Sequence, residues 1–129
     1  MRLLVILFAL MLAPLAATAQ NKHGHSHAAP NGGQIQQIGP YEAELVVKGG
    51  KLFLYVVDEK ENKVDASKLT ASAMVLAKDG QKPVELKPAG GNMLVAESLP
   101  ATDGKLRATL TLSENGKELG KGRYNLDRK

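Results

Sequence analysis

Cysteine and tryptophan are both absent from this chain. Without cysteine there is no disulfide and no lipid-bearing thiol, so the fold must hold by burial and hydrogen bonding alone. Aromatic residues make up only 4% of the sequence, which argues against a stacking platform for sugars or nucleic acids. The basic excess is small, a formal +4 at pH 7, and it is scattered rather than clustered, so it makes no nucleic-acid patch. No phosphate loop or dinucleotide turn is present; "PNGGQ" and "PAGGN" are hairpin chemistry. Nor does any window carry an i, i+3, i+4, i+7 apolar stripe long enough for a substantial helix, and no internal repeat is visible.

Catalytic groups are missing in the same way. All three histidines sit within five residues of one another near the N-terminus, outside any strand pattern. A Ser-His-Asp arrangement would have to take its base from that segment, whereas catalysis needs groups held rigidly within hydrogen-bond reach. Paired acids for glycoside hydrolysis would need a cleft that a small sandwich without long loops rarely provides. The expectation is a non-enzyme.

What is present begins with an export signal. The opening "MRLLVILFALMLAPLAATAQ" has one positive charge at Arg2, an apolar run from Leu3 to Ala13, Pro14, and the small triplet Ala17, Thr18, Ala19. The run is shorter than the roughly 20 residues of a spanning helix, so residues 1–19 read as a signal peptide cleaved after Ala19. Cleavage leaves about 110 residues, enough for one domain with a modest core and no membrane segment.

Residues 20–33 follow as a flexible His-rich arm, "QNKHGHSHAAPNGG", without an apolar period to support ordering. Within it His23, His25 and His27 alternate with Gly24 and Ser26, small residues that let the chain bend round an ion. Imidazole is the commonest protein ligand for Cu(II), Ni(II) and Zn(II), and a spacing of two places the three rings on one side of an extended chain. These three are the candidate metal ligands for a divalent ion bound weakly or transiently. A stable site wants about four donors, so water, a backbone group or a carboxylate must complete the set. Glu42 and Glu44, which share a face of the first hairpin strand, are the nearest carboxylates in sequence, though as strand residues they are expected to face solvent. Were the mature chain to start at Asn21, its amine, two backbone nitrogens and His23 would form a square-planar chelate; cleavage after Ala19 starts it at Gln20 and removes that option. Because imidazole protonates near pH 6.5, binding by the arm is expected to weaken below about pH 6.

From Gln34 onward the pattern changes to short period-two runs separated by Gly, Asn and Asp, which predicts strands. In "YEAELVVKGGKLFLYVVD", Tyr41, Ala43, Leu45 and Val47 alternate with Glu42, Glu44, Val46 and Lys48, and Gly49-Gly50 forms a two-residue hairpin turn. The returning strand "LFLYVV" is apolar on both faces and is expected to be central, covered on one side by core and on the other by packing or a partner. Further strands are predicted over Thr70–Ala77, Pro83–Lys87, Met93–Glu97, Leu106–Ser113 and Glu118–Leu126, with one helical turn conceivable over Asp65–Leu69. Met74 and Met93 are expected in the core, and Tyr41, Phe53, Tyr55 and Tyr124 in the core or on strand faces. The fold expected for residues 34–129 is an all-β, immunoglobulin-like antiparallel sandwich of seven or eight strands.

The order of a signal peptide, a His-rich arm, a Gly-Gly step into "QIQQIGPYEAELVVKGGKLFLYVVDEKENKV" and then "LKPAGGNMLVAE" resembles small periplasmic His-rich proteins that accompany heavy-metal efflux pumps of the resistance-nodulation-division class. It is similar also to stretches near the N-termini of those pumps' periplasmic adaptor subunits. The resemblance implies periplasmic localisation and a metal-handling role, as a buffer or chaperone for Cu, Ni, Zn or Co, with an adaptor subunit as partner. Such proteins carry a histidine immediately before the Gly-Gly; here that position is Asn31, so no ligand is carried over to it. The other class open to the chain is a docking module whose strand edges pair with an adaptor or another envelope protein, with no part for a metal.

Overall fold

The computed structural model describes residues 29–127. The expected signal peptide, residues 20–28 of the arm, and with them His23, His25 and His27, lie outside the described residues. Eight strands follow in order: β1 Gln34–Ile38, β2 Tyr41–Lys48, β3 Lys51–Asp58, β4 Leu69–Ala77, β5 Gly80–Pro88, β6 Met93–Ala96, β7 Lys105–Glu114 and β8 Lys117–Asp127. Every pairing between them is antiparallel, as expected of this all-β chain.

The two layers of the sandwich belong to one sheet of order β1-β2-β3-β6-β5-β4-β7-β8, curled until β8 returns beside β1 in a nearly closed barrel. The last gap is bridged by side chains: Gln36 Nε2 donates to the Arg123 carbonyl at 2.9 Å, and Asn125 N donates to Gln34 Oε1 at 2.8 Å. Glycine makes the approach possible, since a Cβ on Gly122 would stand 3.0 Å from Ile38 Cδ1.

Strand alternation fills the interior. In β4, Leu69, Ala71, Ala73, Val75 and Ala77 point inward while the residues between them are exposed. Leu45, Leu52, Leu54, Leu94, Leu106, Leu110 and Leu112 are fully buried in the same core. Each such leucine stabilises the fold by roughly 1.5–3 kcal/mol relative to an exposed position. Tyr124 reaches across from β8, its Oη donating to the Ala43 carbonyl at 2.8 Å. Burial pushes its phenol well above the ordinary range. At the barrel's end, Tyr41 Oη donates to Glu114 Oε2 at 2.6 Å; that bond, with burial second, raises the Tyr41 pKa.

The turns are made as their residues demand. Gly49 and Gly50 take φ of 59° and 73°, pairing Lys48 with Lys51 across a two-residue turn. Asp65 caps a single 3-10 turn at Ala66–Lys68 by accepting from Ser67 N at 2.9 Å, which resolves the one stretch that the sequence left ambiguous. Two expectations are corrected. Met74 is not core: it points outward from β4 and is 43% exposed, because the inward parity of that strand belongs to Ala73 and Val75. Met93 likewise takes the outer face of β6 and is half-buried, while Leu94 and Ala96 point inward.

Candidate functional site

The outer face of β1, β2 and β3 is the one place where a solvated strand surface was expected and is not found. Glu44 is only 4% exposed and Glu42 8%. The register explains the apolar part of their surroundings. Glu44 stands between Ile35 on β1 and Tyr55 on β3, and Glu42 stands between Gln37 and Val57. Directly opposed side chains on one face of a sheet are in contact, so two carboxylates sit among the apolar side chains of a strand that is apolar on both faces. Phe53, Tyr55 and Val57 are that strand's outward residues, all half-buried.

The cover comes from the segment before β1. Ala29 to Gly32 makes a turn closed by Gly32 N donating to the Ala29 carbonyl at 3.0 Å. Glu44 holds the turn down. Its Oε2 accepts from Asn31 N and from Gly33 N, each at 2.9 Å, and its Oε1 accepts from Asn31 Nδ2 at 2.9 Å. A buried carboxylate must find such donors, since an unpaired charge at this depth would cost several kcal/mol. Gly33 permits the contact: a Cβ there would lie 2.1 Å from the Leu45 carbonyl oxygen.

Between the turn and the sheet is a cavity of about 510 Å³. Its floor is Ile35, Tyr55 and Val57, and Pro30 and Asn31 form one wall beside Glu42 and Glu44. The opposite rim is the loop after β3, which contributes Glu61 and Lys63, with Asn92 beyond it. That loop is firmly made. Asp58 Oδ1 accepts from Lys60 N and Asn62 N at 2.9 Å, Lys63 bridges back to Val57, and Asn92 Nδ2 donates to the Val56 carbonyl at 3.1 Å. The Asn62 backbone bond is the main reason the Asp58 carboxyl lies below its ordinary pKa.

Among the described residues no three metal-ligating side chains come together, so the cavity walls alone do not make a metal centre. Glu42 and Glu44 share a face, as read from the sequence, but Glu44 is occupied in binding the turn. Asn31, at the position where the resemblance expects histidine, serves as its donor partner. Sequence reasoning missed the burial of these glutamates. The signal was the two-faced apolar pattern of "LFLYVV", which calls for cover on its outer face without saying what supplies it. No protein-family model, curated protein or solved structure matches this chain.

Proposed function

We propose that this is an exported, periplasmic metal-binding accessory protein and not an enzyme, in which His23, His25 and His27 take up a divalent transition-metal ion and the β domain carries them. The observation that supports the reading best is positional: the H-x-H-x-H run ends two residues before a turn that Glu44 holds against a carboxylate-walled cavity. A His-rich tail joined to a fixed point has its ligands kept close to a defined surface, which an unanchored tail lacks. The ion is Cu, Ni, Zn or Co, handled as cargo for a heavy-metal efflux system through contact with a periplasmic adaptor subunit.

Calorimetry on the chain from Gln20 onward, its N-terminus confirmed by mass, tests this against a variant with His23, His25 and His27 all changed to alanine. Micromolar or tighter binding of Cu(II), Ni(II) or Zn(II) is expected for the native sequence and its loss for the variant, with affinity falling below about pH 6 as the imidazoles protonate. Equal weak binding by both would overturn the reading.

A second reading, a docking module without metal, draws on one feature of the sheet. Strand β5 pairs with β6 only through Lys87 and Pro88, which leaves the stretch before them beside a groove lined by Ala96, Glu97 and Leu99. An edge of that kind accepts an added strand.

A further inference from the structure

We propose that the cavity over β2 and β3 is the seat of the metal-loaded arm: with an ion bound, residues Asn21–Ala28 fold back into it and dock against Ile35, Tyr55 and Val57 between the Glu42 and Glu61 carboxylates. This rests on the arm's binding metal and goes beyond it by giving the loaded form a defined place on the domain.

Geometry supplies the first argument. Because Asn31 and Gly33 are bonded to Glu44, and Pro30 itself lines the cavity, the described chain begins beside that wall and not at a remote edge. An extended residue spans at most about 3.6 Å, which puts the His27 Cα within roughly 11 Å of the Pro30 Cα and the His23 Cα within roughly 25 Å. Both limits tether the rings to the cavity that Pro30 lines. A cavity of 510 Å³ is also within the usual range of roughly 300–1,000 Å³ for sites that enclose a ligand.

Charge supplies the second. Lys22 is the only fixed charge on the segment from Asn21 to Ala28. A divalent ion held by neutral imidazoles adds two positive charges to it. Among the described residues that line it, the cavity has the carboxylates Glu42, Glu44 and Glu61 and one cation, Lys63, beside a low-dielectric floor where attraction is stronger than in water. Loading therefore raises the arm's affinity for the cavity, and by reciprocity the cavity raises the arm's affinity for the ion.

Shape supplies the third. Gly24, Ser26 and Ala28 separate the imidazoles with side chains small enough for a backbone to enter a cleft. Imidazole itself has an apolar body with a polar tip, which suits an apolar floor and carboxylate walls.

Paramagnetic Cu(II) reports the docked position directly. The chain from Gln20 onward, labelled with nitrogen-15, is titrated to equimolar Cu(II) and its amide spectrum compared with the Zn(II) form. Docking is expected to broaden the floor amide of Val57 and the far-rim amides of Lys63 and Asn92, and to leave Met74 and Leu76, on the opposite face, sharp. A double variant, Glu42→Gln with Glu61→Gln, whose metal-free spectrum shows an intact fold, is expected to recover those amides and to bind Cu(II) at least about fivefold more weakly. Raising the salt concentration on the native chain gives the same test without substitution, the far-rim broadening fading as the charges are screened. Loss of the histidine signals with Val57 and Lys63 as sharp as Met74 would overturn docking while leaving metal binding intact. Histidine signals untouched by Cu(II) would mean that no ion is taken up, and both readings would fall together.

Discussion

A single missing Cβ determines how the chain lies on the domain before β1. At Gly33 any side chain would meet the Leu45 carbonyl at 2.1 Å, a distance that only backbone movement can relieve. Gly33→Ala must therefore lift the turn off β2 or push β2 inward, and either breaks the bond from Gly33 N to Glu44. Overpacking of this kind costs roughly 1–3 kcal/mol, and stranding part of a buried carboxylate adds to it. The expected result is a thermal midpoint lowered by several degrees, with the Asn31 and Gly33 amides exchanging faster; an unchanged midpoint would mean that the turn is not held down. None of this is visible in the letters "PNGG", which specify a turn and not the surface it covers. Glutamates at alternate strand positions similarly read as a wet face, and only the register, which sets them among Ile35, Tyr55 and Val57, shows that they are buried.

At the level of the element, the loop after β3 is set by one aspartate. Asp58 accepts two backbone N–H groups, from Lys60 and Asn62, and those bonds keep its carboxyl below the ordinary range. Asp65 at the 3-10 turn, through the Ser67 N–H, and Asp79 beside Lys82 are shifted the same way. A carboxyl whose pKa is lower folded than unfolded adds stability above the unfolded value near 4, and loses that contribution as the pH falls through the folded one. The urea midpoint should thus drop as the pH falls below about 5, and Asp58→Asn, which keeps an acceptor but cannot titrate, should flatten the slope. A slope as steep in the variant would assign the effect to other groups. Elements were the most legible feature of the sequence. Period-two alternation and Gly-Gly or Asn-Gly turns locate the strands closely because those turns need positive φ, seen at Gly49, Gly50, Asn115 and Gly116. Where reading failed, at the start of β5, "KDGQK" looks like a connector, yet the strand already begins at Gly80, paired with Ala77 across Lys78-Asp79. A polar edge strand has no apolar alternation to announce it.

Taken whole, the molecule depends on contacts between strands far apart in sequence, and these were the least legible. Alternation shows which residues face a core but not that eight strands form one curled sheet, because closure rests on Gly120, Gly122 and two glutamines whose partners lie on another strand. Tyr124 is the buried tie across the barrel, from β8 to the Ala43 carbonyl of β2. Tyr124→Phe keeps the ring and removes one buried hydrogen bond from that carbonyl, which keeps its place in the β1–β2 ladder, at a cost of about 0.5–1.5 kcal/mol. For a domain of this size each kcal/mol lowers the melting temperature by roughly 4–8 °C, so calorimetry should find a clear drop, and no change would mean that the carbonyl finds another donor.

The seam between β1 and β8 also decides how the domain carries load. Tension on the N-terminal segment reaches the Glu44 bonds first and β1 next. Strand β1 is laddered to β2 along its whole length but bridged to β8 by the Gln34 and Gln36 side chains. With a full ladder on one side alone, β1 is the stave expected to part from β8 under load before the paired strands β4 and β7 separate.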